Sequence, residues 1–250
     1  MTNPYATPAA QLEQQTLDIE GQSSLEGGIS GQYDFSITAI IAEGWEKTSG
    51  AKGTILLAFL AYIVIATIVN VVQKLIFPDP NLLIQHHQLG SGFFWLAITM
   101  LVSIPITYPL AAGIIVLGIR RSVDAEINVG SIFRAYAKVI PLTLLSIVLM
   151  LLIMLGYVLL IIPGIYLSVA YLMSMALMMD RNMGVWEALE TSRKAISKHW
   201  FKVFFLYLAM GIMLLLACLP IFIGLIWMLP LLTIVQGLLY KKMFGVASVQ

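Results

Sequence analysis

The chain has 250 residues, of which 60% are hydrophobic and 11% are charged, whereas about a quarter of the residues in a soluble domain are charged. This composition indicates a polytopic membrane protein, and it leaves no room within these residues for a separate soluble catalytic domain. A formal net charge of +1 argues against nucleic acid as a partner, because binding to phosphates needs a net basic surface.

The N-terminal segment differs from the rest of the chain. Residues 1–32 are rich in Gln, Ser, Gly and Pro and contain no Lys, no Arg and no apolar core. A signal peptide needs a basic start and an apolar core, so this segment is not one. Low hydrophobicity predicts instead a disordered cytoplasmic tail over residues 1–34, followed by a membrane domain over 35–245.

Long apolar stretches predict an all-α fold with six transmembrane helices. The uncharged run from Val139 to Met179 would measure about 60 Å as one helix, which is two bilayer thicknesses, so it must fold back once. Pro163 lacks a backbone N–H and Gly164 tolerates turn geometry, so we expect the turn there, and Pro220 divides the last apolar run in the same way. The predicted spans are 54–72, 93–118, 139–162, 164–179, 201–219 and 221–240.

The basic residues predict the orientation of these spans. All lysines and arginines except Lys74 fall before span 1, between spans 2 and 3, between spans 4 and 5 or in the first turn of span 5, or after span 6. Basic residues concentrate on the cytoplasmic side of membrane proteins, so both termini are expected in the cytoplasm. Trp45, Trp186 and Trp200 fall at the predicted cytoplasmic interface, where tryptophan is enriched.

Each cytoplasmic connection contains a segment with the pattern of an amphipathic helix, over 35–53, 129–141 and 185–200. In the third segment an apolar face holds Val185, Trp186, Leu189, Ile196 and Trp200, and the opposite face holds Glu187, Glu190, Lys194 and Lys198. Such helices lie in the headgroup plane. Arg193 falls within the apolar arc, where it either reaches a lipid phosphate or forms an ion pair facing the bundle. The order of amphipathic helix, span, turn and span occurs three times, which suggests a loose internal repeat.

Two stretches carry a resemblance to a known family. Ile162-Pro163-Gly164-Ile165-Tyr166 and, further on, Glu187-Ala188-Leu189 with Ser192, Lys198 and Trp200-Phe201 resemble an uncharacterised family of six-helix bacterial inner-membrane proteins. That family is related to the membrane domain of some glycerophosphoryl diester phosphodiesterases. The resemblance implies a six-helix fold in the bacterial inner membrane and offers no catalytic residues. The phosphodiesterase domain itself is absent from this sequence, so its activity is not implied.

Apart from Lys202 in the first turn of span 5, the predicted spans contain no Asp, Glu, Lys, Arg or His, which argues against a proton-driven transporter. Uncharged polar residues such as Ser103, Thr107, Tyr108 and Tyr171 either join helices by hydrogen bonds or line a path for a neutral or amphiphilic solute. We find no nucleophile–base pair, no phosphate-binding loop and no convincing metal ligands, and therefore expect no enzyme activity, no cofactor and no metal site.

The sequence thus predicts a non-enzymatic inner-membrane protein with an accessory or scaffolding role in the cell envelope. The candidate residues for binding anionic lipid headgroups or a membrane protein partner are Trp186, Arg193, Lys194, Lys198 and Trp200, and Pro163, Gly164 and Pro220 are the candidate turn residues. The alternative is a transporter or lipid-handling channel for an uncharged or amphiphilic solute. A cavity lined by the four polar residues named above would favour that alternative, and a packed centre would count against it. The sequence leaves the oligomeric state open.

Overall fold

The structure, a computed structural model, describes residues 24–247, and these residues form helices with no β-strand. Six of the helices are long and apolar enough to cross a membrane, which confirms the predicted all-α membrane bundle. In chain order, the helices are α1 (Leu25–Ser30), α2 (Ile37–Lys47), α3 (Lys52–Ile76), α4 (Pro80–Gln85), α5 (Leu89–Ser122), a 3₁₀ helix (Val129–Lys138), α6 (Val139–Leu159), α7 (Ile161–Ala170), α8 (Ser174–Arg181), α9 (Val185–Lys198), α10 (Trp200–Cys218) and α11 (Leu225–Phe244).

Four of the six spans are single helices, and two combine two helical segments. Span 1 is α3, span 2 is α5, span 5 is α10 and span 6 is α11. Span 3 joins the 3₁₀ helix to α6, so the segment 129–141 continues directly into the membrane helix. Span 4 joins α7 to α8 across a short break at residues 171–173. Pro105 and Pro109 lie inside α5, and Pro230 lies inside α11, and both helices continue through them.

Spans 2, 4 and 6 form the inside of the bundle. Of the most apolar stretch of each span, 56% is buried inside the protein for spans 4 and 6 and 33% for span 2, against 11%, 22% and 17% for spans 1, 3 and 5. The outer spans therefore present apolar side chains such as Leu75, Val158 and Ile212 to the surroundings, as expected for surfaces that contact lipid.

Spans 2 and 6 make the closest crossing, at Gly118 and Gly237. A Cβ on Gly237 would overlap the carbonyl oxygen of Gly118, and a Cβ on Gly118 would overlap that of Thr233. Because only hydrogen atoms fill these positions, the two backbones come into direct contact. Small residues allow this kind of close helix packing within membranes, where dispersion forces drive helix association.

The two ends of the bundle differ. At one end, which we call the basic end, long-range hydrogen bonds and ion pairs join α2, α5, α8, α9, α10 and α11. At the opposite end, which we call the turn end, the spans are joined by residues 77–88, by Leu160 and by residues 219–224. Most of the buried core lies toward the basic end.

The turn between spans 3 and 4 lies three residues earlier than predicted. Leu160 alone is extended, with φ −165° and ψ 155°, and α7 begins at Ile161. Pro163 therefore occupies the first turn of a helix, where its missing N–H costs no hydrogen bond. Gly164 is needed for packing, because a Cβ there would overlap the ring of Tyr157. Pro220 does lie in a turn, between Cys218 and Leu225.

The predicted disordered tail over residues 1–34 is wrong for residues 24–34, and residues 1–23 lie outside the described part of the chain. Helix α1 is capped by Ser24, and Tyr33 is 5% exposed and donates a hydrogen bond to the carbonyl of Ala195 at 3.0 Å. Gly28 packs against Phe244 of α11. These aromatic contacts supply the burial that the overall composition of the tail did not suggest.

Candidate functional site: the basic end of the bundle

Several basic side chains at this end bind backbone carbonyls at the C-termini of other helices. Lys138 donates to Met178 O of α8 at 2.8 Å, and Lys241 donates to Ser122 O of α5 at 3.3 Å. Arg121 donates to Lys47 O at the end of α2 at 2.8 Å, and Arg181 donates to Phe244 O of α11. The last carbonyls of a helix have no intrahelical partner and carry partial negative charge. These cations therefore supply the missing hydrogen bonds and offset the charge.

Other basic residues are neutralised by carboxylates. Lys47 pairs with Asp124, Lys202 pairs with Asp34, and Lys242 lies 3.4 Å from Glu43. The hydrogen bond from Lys47 holds the pKa of Asp124 below its usual range, and the hydrogen bond from Lys202 does the same for Asp34. Much of the basic charge at this end therefore stabilises the fold.

Arg193 forms an ion pair, which decides between the two alternatives left by the sequence. Its Nε and Nη2 donate to the two carboxylate oxygens of Glu190 at 2.8 Å and 2.7 Å. This bidentate contact raises the pKa of Arg193 and lowers that of Glu190. Lys194 lies 3.5 Å from the same carboxylate and its side chain is 52% exposed. Glu187 accepts from the N–H of Gly184 and so caps α9.

The apolar face of α9 packs against protein along a narrower arc than the helical wheel predicted. Leu189 and Ile196 are buried, but Trp186 is 66% exposed. Ser192 is fully buried, accepts from the N–H of Met173 at 3.1 Å and donates to Ala170 O at 2.8 Å. The hydroxyl thus supplies the hydrogen bonds that the helix cannot make across the break in span 4.

Trp200 is partly buried and packs against the core. Its Nε1 donates to Tyr166 O at 3.2 Å, its ring stacks on Phe204, and the hydroxyl of Tyr166 lies 2.6 Å from that of Ser197. Two stretches that carry the family resemblance, around Tyr166 and Trp200, therefore meet in space. The structure consequently separates the five candidate residues: Arg193 pairs with Glu190 of its own helix and Trp200 packs against the core, while Trp186, Lys194 and Lys198 are exposed.

Exposed aromatic side chains surround the basic end. Each of the three segments predicted as amphipathic helices has one, and in each case an exposed or half-exposed cation lies nearby in sequence or in space. The Nζ of Lys52 lies 5.9 Å from the ring centroid of Trp45, and Phe133 precedes Arg134. The third aromatic is Trp186, on the helix that carries Lys194 and Lys198.

A cleft of about 240 Å³ also lies at this end, between the C-terminus of α5 and the 3₁₀ helix. Arg120, Arg134, Asn128 and Ser131 contribute to its lining. Arg120 donates to Glu126 O, and Arg134 makes no hydrogen bond or ion pair with the described residues. The cleft can therefore offer a free guanidinium to an anion.

Of the polar residues that the sequence proposed as a solute path, Ser103 and Thr107 lie one helical turn apart on span 2, whereas Tyr171 lies on span 4. Ser103 lines a cavity at the turn end, Thr107 donates to the backbone carbonyl of Ser103, and Tyr171 is 9% exposed within the core toward the basic end. Below the cavity, the crossing of Gly118 and Gly237 closes the space between spans 2 and 6. The sequence analysis did not identify Gln73, which is 7% exposed and joins spans 1 and 2. An amide side chain next to an apolar run could have indicated such an interhelical hydrogen bond.

No group of three His, Cys, Asp or Glu side chains within residues 24–247 is arranged to hold a metal ion. Compared with known proteins, the chain matches no family model, no curated protein and no solved structure.

Proposed function

We propose that this integral membrane protein is a non-enzymatic accessory or scaffolding component of the bacterial inner membrane, which holds anionic lipid headgroups against its basic end. In this proposal the basic end and both termini face the cytoplasm, and the three segments that precede the hairpins, α2, the 3₁₀ helix and α9, lie at the headgroup level. They belong to three similar units, each built from one such segment and two spans.

The observation that carries the proposal is the set of exposed aromatic residues beside cations. Aromatic side chains with large exposed fractions are favourable where an apolar surface meets headgroups, and nearby cations attract anionic lipid at about 1 kcal/mol each. Trp45, Phe133 and Trp186 are 51%, 46% and 66% exposed, one in each unit. A soluble partner would not require the same arrangement in all three units.

The carboxylates at this end support a non-enzymatic role. Asp34, Asp124 and Glu190 each accept a hydrogen bond from a Lys or Arg side chain, and these bonds hold the pKa values below the usual range. A general acid or base at neutral pH needs the opposite, a carboxyl pKa raised toward 7. Asp34 and Asp124 are better suited to joining distant parts of the chain, and Glu190 to stabilising α9.

The proposal is tested with the full-length protein in bilayers that contain brominated phosphatidylglycerol or brominated phosphatidylcholine. Bromine quenches tryptophan at short range, and the difference between wild type and Trp186→Phe isolates the signal from Trp186. We expect phosphatidylglycerol to quench more strongly than phosphatidylcholine. The double variant Lys194→Gln/Lys198→Gln should reduce this difference, because these two exposed cations lie on the same helix as Trp186 and attract anionic lipid to it.

The matched control is Lys47→Gln. Lys47 is paired with Asp124 and its side chain is only 15% exposed, so its loss should leave the lipid preference intact. Equal quenching by both lipids in the wild type would contradict the proposal and would favour a protein partner at this surface. Turnover of lipid by the purified protein would contradict the non-enzymatic role.

A further inference from the structure

The hairpin of spans 1 and 2 contains a cavity of about 300 Å³ at the turn end, far from the basic end. One wall is formed by the end of span 1 and the turn after it, and includes Lys74, Asp79 and Asn81. The facing wall is formed by span 2 and includes Leu96 and Met100. Leu96 and Ile104, which both line it, are eight residues apart, so the cavity extends about 12 Å along the helix. Charged groups on one wall and apolar side chains on the facing wall suit an amphiphilic ligand.

Two opposite charges line this cavity without a salt bridge to any described residue. Lys74 is the only Lys or Arg in the sequence assigned to this end, and it forms no ion pair or hydrogen bond with the described residues. Asp79 accepts the N–H of Asn81 at 2.9 Å through Oδ1, and no described side chain neutralises it. Lys74 lies in the last turn of α3, where a cation is favourable, and Asp79 caps α4, but these local roles leave the ammonium of Lys74 and Oδ2 of Asp79 without a hydrogen-bond partner among the described residues.

The walls are held in place before any ligand binds. The amide of Gln73 donates to Thr99 O at 2.9 Å and lies 3.1 Å from the hydroxyl of Ser103, which joins the two spans beneath Lys74. At the mouth, α4 packs closely on α5 through Gly92, where a Cβ would overlap Ile84. Such preorganisation lowers the entropy cost of binding.

We propose that this cavity binds the headgroup of a zwitterionic phospholipid that carries a primary ammonium, as in phosphatidylethanolamine. The phosphate lies against Nζ of Lys74, and the ammonium donates to the free oxygen of Asp79. The amides of Asn70 and Asn81 are available to the phosphate and glycerol oxygens, and the start of the acyl chains contacts Leu96 and Met100. Both charges of the headgroup are thereby matched, which an anionic lipid cannot achieve beside Asp79.

The test is native mass spectrometry of the full-length protein after incubation with equal amounts of phosphatidylethanolamine and phosphatidylcholine, which carry the same net charge, so that anionic lipid bound at the basic end does not enter the comparison. The wild type should retain phosphatidylethanolamine at least about fivefold over phosphatidylcholine, because the choline ammonium cannot donate a hydrogen bond to Asp79. Asp79→Asn should abolish this preference while Lys74 still holds phosphate. Lys74→Gln should reduce retention of both lipids.

The controls are Lys47→Gln and Glu46→Gln at the basic end, which change the same charges away from the cavity and should retain lipid as the wild type does. Lys74 is exposed and Asp79 half-exposed, and neither contributes to the core, so the melting temperature of the lipid-free Lys74→Gln and Asp79→Asn variants should match the wild type. Added phosphatidylethanolamine should raise the melting temperature only where both charges are present. Equal retention of phosphatidylethanolamine by Lys74→Gln and Lys47→Gln, or equal retention of phosphatidylethanolamine and phosphatidylcholine by the wild type, would overturn the proposal.

Discussion

The closest helix crossing gives the sharpest test of the packing, through the substitution Gly237→Ala. A single Cβ at this position would meet the carbonyl oxygen and carbon of Gly118 and, at 2.7 Å, the backbone nitrogen of Ile119. All three are backbone atoms, which cannot move aside by changing a rotamer. Spans 2 and 6 must therefore separate, and because they make the most extensive contact in the bundle, the loss spreads along both helices.

Overpacking of this kind costs about 1–3 kcal/mol, and for a chain of this length each kcal/mol lowers the melting temperature by about 2–4 °C. We expect Gly237→Ala to melt about 6 °C below the wild type in a thermal scan in mild detergent. Gly211→Ala is the matched control, because it also lies within a membrane span but a Cβ there has nothing within 4 Å. It should be neutral or slightly stabilising, since alanine favours the helix.

The double variant Gly118→Ala/Gly237→Ala tests the contact between the two glycines. Once one methyl group has separated the helices, the second meets a wider gap, so the combined loss should be smaller than the sum of the two single losses. Equal melting temperatures for Gly237→Ala and Gly211→Ala would refute the crossing, and strict additivity of the two substitutions would refute their contact.

Two further predictions concern the basic end. Ser192→Ala should lower the free energy of unfolding by about 1–3 kcal/mol, because it leaves the N–H of Met173 without its partner. The control Ser49→Ala, at an exposed hydroxyl without a hydrogen bond, should have no effect. Equal stability of the two variants in a denaturation series would contradict the role of Ser192. The pKa values of Asp34, Asp124 and Glu190 are lowered in the folded protein. The ionised carboxylates therefore stabilise the fold at pH values above their ordinary pKa values of 3.8 and 4.5, and this stabilisation is lost as the pH falls through the lower pKa values of the folded state. The melting temperature should therefore be level between about pH 8 and pH 5 and decline below about pH 4, and a decline already complete at about pH 6 would show that other groups control stability.

The features that the sequence predicted are those set by local composition. Six spans followed from the lengths of apolar runs, and the need for a turn between Val139 and Met179 followed from bilayer thickness. The position of that turn did not, because proline and glycine also serve other purposes: Pro163 fits the first turn of α7, and Gly164 gives room to Tyr157. A breaker residue indicates a nearby boundary and does not fix its position to within three residues.

The features that the sequence could not give depend on contacts distant along the chain. Lys138 lies 40 residues from the carbonyl of Met178 that it binds, and Tyr33 lies 162 residues from Ala195. A helical wheel placed Trp186 and Leu189 on one face, but only the neighbouring helices decide which part of that face is covered. The pairing of Arg193 is different, because its partner Glu190 is only three residues away, and the pattern of charges left an ion pair as one of two alternatives.

The orientation of the bundle is the premise on which the lipid proposals rest, and cysteine labelling measures it directly. In a Cys218→Ala background, which removes the native cysteine, Glu46→Cys places one thiol on the exposed surface of the basic end and Gln85→Cys places one at the turn end. In intact spheroplasts, a membrane-impermeant maleimide should label the Gln85→Cys variant and should reach Glu46→Cys only after permeabilisation. Labelling of Glu46→Cys from outside, with Gln85→Cys protected, would contradict the account.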